Sequence, residues 1–98
     1  MRLAGKTAIV TGGASGFGAG IVRKFRAEGA EVMIADLNGA AAHDMAQATG
    51  SLAHETDVAK GESVAALAQS ALSAWGRIDI VVNNAGITRD STFRKMTL

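Results

Sequence analysis

TGGASGFG, residues 11–18, lies where the apolar run KTAIVT (residues 6–11) ends and an amphipathic run begins. Glycine costs conformational entropy on folding, so a glycine-dense junction implies a need for a tight turn or for close approach of backbone. In an open parallel α/β sheet ligands sit beyond the carboxyl ends of the strands. A helix that starts there turns its N–H groups and the positive end of its dipole toward an anion. Gly12, Gly16 and Gly18 follow Gly-x-x-x-Gly-x-Gly, which departs from the commoner dinucleotide fingerprint Gly-x-Gly-x-x-Gly. Taken alone, the stretch also fits a simple tight connection.

The flanking pattern favours the sheet. KTAIVT is short, apolar and β-branched, as expected of a strand buried on both faces. From Gly16 to about Glu28, Ile21, Val22 and Phe25 recur at helical spacing, and Gly29 is placed to end the helix. EVMIAD (residues 31–36) reads as a second buried strand. Asn38 is a plausible cap for an Ala-rich helix running to about Ala48, and Ser51 to Thr56 reads as a third, weaker strand. Val64, Leu67, Ala68, Ala71, Leu72 and Trp75 form one helical stripe closed by Gly76, and IDIVVN (residues 78–83) is a fourth strand. Four strands alternating with three helices imply right-handed βαβ units in a parallel sheet. The remainder, from Asn84, reads as a loop with Thr97 placed as the cap of a further helix. The architecture is expected to be incomplete, with more structure needed to cover the fourth strand, and the segment alone to be marginally stable or to associate through that edge.

Composition narrows the function. The 98 residues carry 48% apolar and 19% charged side chains, a net charge of +1 and no cysteine. That profile describes one globular unit without disulfides or thiolate metal sites, compatible with a reducing cytoplasm. Interspersed charge supplies no basic stripe for nucleic acid. The apolar run near the start is too short for a leader peptide or a membrane span.

A second signal supports a nucleotide. Asp36 ends the second strand 18 residues after Gly18, where a carboxylate can accept hydrogen bonds from an adenosine ribose; its plainer role would be to cap the next helix. With this residue in hand, the chain resembles the N-terminal half of a short-chain dehydrogenase/reductase. The family's TGxxxGxG matches Thr11 to Gly18, its acidic residue after the second strand matches Asp36, its Asp-Val pair matches Asp57 and Val58, and its NNAG matches Asn83 to Gly86. The resemblance implies a Rossmann-like doubly wound sheet binding NAD. It assigns Gly12, Ser15, Gly16, Phe17 and Gly18 to the pyrophosphate and nearby ribose, and Asp57 and Val58 to the adenine edge. Asn84, Ala85 and Gly86 would pass beside the nicotinamide ribose, while Asn83 would hold the central strands together through its amide. Plainer roles remain open for Asp57, as a cap ahead of Gly61, and for Asn84, as a strand-end turn.

Asp36 would repel a 2′-phosphate, and the family's usual places for a compensating cation hold Ser15 and Leu37, so NAD is expected over NADP. The family's catalytic Ser, Tyr and Lys have no match here, and the sequence contains no Tyr. The chain alone is therefore expected to be inactive, and no catalytic or metal-binding residue is assigned. Thr88, Ser91 and Lys95 read as solvated loop residues, and His43 and His54 lack partners at useful spacing. NNAGITRD and STFRKMTL are similar to the family's 3-oxoacyl and acetoacetyl-coenzyme A reductases, which implies a carbonyl or alcohol substrate and a homo-oligomer, dimer or tetramer. The competing reading is a noncatalytic NAD-binding or interaction module. A degenerate remnant would be expected to have lost motif residues that stand intact here.

Overall fold

A computed structural model describes residues 2–14 and 16–84. The expectations for Ser15, Ala85, Gly86, Thr88, Ser91, Lys95 and Thr97 lie outside the described residues. The element order is β1 (Thr7–Thr11), α1 (Gly16–Ala27), β2 (Glu31–Asp36), α2 (Gly39–Thr49), β3 (Leu52–Glu55), α3 (Gly61–Trp75) and β4 (Ile80–Val82).

The helix ends follow local chemistry. Asn38 caps α2 by accepting a hydrogen bond from Ala41 N–H at 3.0 Å, and Gly50 and Gly76 close α2 and α3 in the left-handed conformation that glycine tolerates. The strands are a little shorter than the apolar runs suggest. β4 begins at Ile80 rather than Ile78 because the Asp79 carboxylate, and not a strand carbonyl, accepts the Thr7 N–H at 2.8 Å. The Asp79 N–H still donates to Thr7 O at 3.0 Å, so at that point one side-chain and one backbone hydrogen bond join the two segments.

All four strands are parallel, in the order β3-β2-β1-β4. Thr7 pairs with Glu31, Ala8 with Ile80 and Met33 with Leu52, so the strands finish together near Thr11, Asp36, Glu55 and Val82. Alternate residues feed two cores. Ala8, Val10, Val32, Ile34 and Val82 pack with Val22 of α1 and with Ala42 and Ala46 of α2. On the opposite face Ile9, Met33 and Ala35 meet Leu67 and Ala71 of α3. This is the doubly wound arrangement that right-handed crossovers produce when the chain reverses direction along the sheet. The reversal lies between β1 and β4.

One helical pattern is only partly realised. Of the α3 stripe, Leu67 and Ala71 are buried, whereas Val64 and Leu72 remain 40% and 44% exposed. A single helix rests on that face among the described residues and touches the sheet along one line, so the flanks of its stripe find no opposing surface.

Candidate functional site

Where the chain leaves the sheet, the ends of β1, β2 and β3 enclose a groove of about 210 Å³. Gly12 lies on one side, Ala35, Asp36 and Leu37 on another, and Thr56, Asp57 and Val58 on the third. A hollow of about 390 Å³ lies elsewhere, by Leu3, Phe25 and Ile80, and one of about 360 Å³ adjoins the groove at Val58 and runs between α3 and Val81, with Thr11 and Asn83 in its lining. Neither is lined by a glycine of the 12–18 turn.

The glycines of the turn serve different physical ends. Gly12 and Gly16 have φ of +64° and +52°, in the left-handed region that side-chain-bearing residues avoid. At Gly18 the constraint is space, since an added Cβ would lie 2.1 Å from Gly12 O and 2.6 Å from Asn84 Nδ2. Helix α1 thus presses its first turn directly on the ends of β1 and β4. Gly13, absent from the expected site, is buried, and a Cβ there would meet Ile34 at 3.0 Å and Val10 O at 3.1 Å. Its signal was the Gly12-Gly13 doublet: one glycine turns the chain and the next seats it on the core.

Asp36 stands half-buried at the end of β2. Its Oδ2 accepts from Ala14 N–H at 3.1 Å and its Oδ1 from Asn38 N–H at 2.9 Å. The carboxylate shapes the approach to α2 without capping it, since the cap is Asn38, and it also reaches back to the glycine turn. Asp57 Oδ1 accepts from Ala59 N–H at 2.9 Å, while its own N–H donates to Ser63 Oγ at 2.8 Å. It shapes the turn before α3 and is not that helix's cap, which falls at Lys60. Leu37 and Val58, the apolar members of the groove, are 67% and 47% exposed. Beneath them Thr56 is buried, its hydroxyl bonded to His54 Nδ1 at 2.7 Å.

At the end of β4 the two asparagines divide the work. Asn84 is buried and its Nδ2 donates to Gly12 O at 3.1 Å, tying β4 to the turn. Asn83 Oδ1 stands 3.3 Å from the Thr11 hydroxyl, a second tie between the same strands. The tethering expected of Asn83 is thus shared with Asn84, because alternation along β4 directs the second side chain, not the first, toward the buried turn. Phe17, 59% exposed, stands in the first turn of α1.

The sequence profile of short chain dehydrogenases matches residues 6–98. The chain belongs to that family. This short-chain dehydrogenase sequence is 44% identical over 96 residues to an uncharacterised oxidoreductase of Mycobacterium bovis, covering 94% of this chain and 39% of the relative. It is 46% identical over 101 aligned positions to a 3-oxoacyl-(acyl-carrier-protein) reductase of Chlamydia muridarum, covering 97% of this chain and 41% of that one. The fold superposes with a TM-score of 0.80 on the crystal structure of the Brucella melitensis 3-ketoacyl-(acyl-carrier-protein) reductase complexed with NADH, at 41% identity, with 82% of this chain and 34% of that one covered. The chain thus spans about two fifths of the length of the curated relatives it matches.

In this short-chain dehydrogenase chain the described site offers backbone, one reaching carboxylate and an apolar rim, but no acid-base pair. His43 is exposed on α2, and His54 is engaged with Thr56. Among the described residues no cluster of His, Asp or Glu could hold a metal ion, and no helix is long and apolar enough to cross a membrane. The arrangement suits binding an elongated anion with a hydroxyl-bearing sugar.

Proposed function

We propose that this chain forms the NAD(H)-binding part of a dehydrogenase that exchanges hydride between the nicotinamide and a carbonyl/alcohol pair. The observation that carries the reading is Asp36, whose carboxylate stands in the groove beside the glycine turn and between the exposed Leu37 and Val58. The residues fit the group. Adenosine ribose hydroxyls would donate to Asp36, and Leu37 and Val58 would flank the adenine, with Asp57 at its edge. Gly12, Gly16, Phe17 and Gly18, together with Ser15, would receive the pyrophosphate at the amino end of α1. Asn84, Ala85 and Gly86 would adjoin the nicotinamide ribose. When bound, NAD supplies or accepts the hydride.

The negative charge of Asp36 favours NAD over NADP, since a 2′-phosphate would stand against it. The complex of the Brucella melitensis relative with NADH is in keeping with this preference. A 3-oxoacyl substrate is supported by the similarity to the Chlamydia reductase. A homodimer or homotetramer working in the cytoplasm completes the reading. One observation favours the noncatalytic alternative: with no Tyr in the 98 residues, this chain holds no phenol to protonate a carbonyl oxygen. Turnover is accordingly proposed for a protein of the relatives' length, and binding without turnover for these residues alone.

Titration of nicotinamide fluorescence tests the reading. NADH is expected to bind about tenfold or more tightly than NADPH, a difference of about 1.4 kcal/mol. Tighter binding of NADPH would overturn the preference, and binding of neither would overturn the cofactor.

A further inference from the structure

We infer that Asp36 is a positioning residue for the glycine turn, holding it in its nucleotide-receiving shape before a nucleotide arrives. The inference rests on the cofactor reading above and deepens it. The turn is attached to β2 at two successive residues: Gly12 N–H donates to Ala35 O at 2.7 Å, and Ala14 N–H donates to Asp36 Oδ2 at 3.1 Å. The first bond continues the strand ladder, whereas the second is made by a side chain 22 residues away. Gly12 O is held from the opposite side by Asn84 Nδ2. Gly16 also has a positive φ, and among the described residues no atom outside its own turn lies within 4 Å of where its Cβ would stand.

The physical need is entropic. A segment rich in glycine has more backbone freedom to lose than any other, and each ordered residue costs about 1–2 kcal/mol, so tethers decide whether the turn is preformed. The Asp36 carboxylate suits this double duty. It has about four lone-pair sites, so it can keep Ala14 N–H and Asn38 N–H while accepting from ribose hydroxyls. A residue without an acceptor oxygen at position 36 would lose the sugar contact and loosen the diphosphate cradle together. Replacing Asp36 to admit a 2′-phosphate therefore lowers affinity for both dinucleotides instead of exchanging one for the other.

The decisive probe is 2′,3′-dideoxyadenosine 5′-diphosphate, which carries the diphosphate and adenine but no ribose hydroxyl for Asp36 to accept from. Its affinity is measured by calorimetry for the wild-type chain, Asp36→Ala, Asp36→Val and Asp36→Asn, together with hydrogen exchange at the Ala14 amide in the ligand-free proteins. In Asp36→Ala, Ala14 exchange is expected to rise about tenfold and dideoxy-ADP affinity to fall about tenfold, the worth of one hydrogen bond to a charged group. Asp36→Asn keeps one acceptor oxygen and is expected to recover most of both, while Asp36→Val, which has no acceptor but suits a strand end, is expected to lose both as alanine does and covers the case in which the alanine variant fails to fold. Unchanged dideoxy-ADP affinity in Asp36→Ala, or in Asp36→Val where the alanine variant fails to fold, with or without faster exchange, would overturn the inference and leave Asp36 acting on the ribose alone. If the wild-type chain binds neither NADH nor this probe, the cofactor reading fails, while Ala14 exchange still judges the tether.

Discussion

The two ends of the β1–β4 pair are fastened by different chemistry. At the amino end the bond is ionic: Asp79 accepts from Thr7 N–H at 2.8 Å and from Arg77 Nε at 3.0 Å, and Arg77 also donates to the Gly5 carbonyl. At the carboxyl end the ties are neutral: Asn84 Nδ2 donates to Gly12 O, and the Thr11 hydroxyl lies 3.2 Å from Val82 O and 3.3 Å from Asn83 Oδ1. Both sets hold the same two strands in register. A carboxylate at the carboxyl end would repel an anion arriving at the glycine turn, whereas a carboxamide binds the backbone without adding charge. Function thus dictates which fastener each end can use, and Asp36 is the acid admitted near the turn because its partners are backbone N–H groups and, in the proposed complex, a sugar.

The comparison breaks first at Gly18. Gly18→Ala forces a methyl group into the Gly12 carbonyl and the Asn84 amide, so a stability loss of about 3 kcal/mol or more is expected in urea titration, with the glycine turn displaced. A loss under 1 kcal/mol would mean that α1 can back away from the strand ends. Next, Asn84→Ala leaves the Gly12 carbonyl without its side-chain donor and is expected to cost about 1–3 kcal/mol. Asn84→Asp should cost at least as much, because an ionised carboxylate has no N–H to offer that carbonyl, and it should also weaken NADH binding.

At the other end the signature is pH. The Thr7 N–H first, then the Arg77 guanidinium, hold the Asp79 carboxyl below its ordinary 3.8, against the opposing effect of desolvation. A carboxyl lowered in the folded state stabilises above its unfolded value, and that contribution is lost as pH falls through the folded one. Wild type and Asp79→Asn should therefore differ in stability near neutral pH and converge below pH 3.8 in melts across an acid series. Curves that stay parallel would show that the ionised carboxylate is not the fastener. The smallest effect is expected at Leu72→Ala, on the flank of α3 and 44% exposed: a change of about 0.5 kcal/mol or less by the same melts. A larger loss would mean that the outer flank of α3 is covered in solution.

Much of this was legible in local chemistry, though unevenly. The Asn38 cap, the closing Gly50 and Gly76 and the alternation of elements follow from residues within a few positions of one another. Less legible were the features made between distant segments. The α3 stripe has the right period, but how much of it is buried depends on what lies opposite, and Val64 and Leu72 find too little. The asparagine pair at residues 83–84 names two amides without saying which one turns inward, and Gly13 looks like its neighbours until Ile34 closes on it.

By itself the sequence determined the number and type of elements, the position of the glycine turn and the acid after the second strand, because propensity, capping and periodicity act within a few residues. The residue register between the strands, the share of the α3 stripe that is buried and the reach of Asp36 to Ala14 were decided by the tertiary structure alone. A strand buried on both faces is apolar whichever neighbour it pairs with, and a hydrogen bond spanning 22 residues exists only once the sheet has brought its partners together.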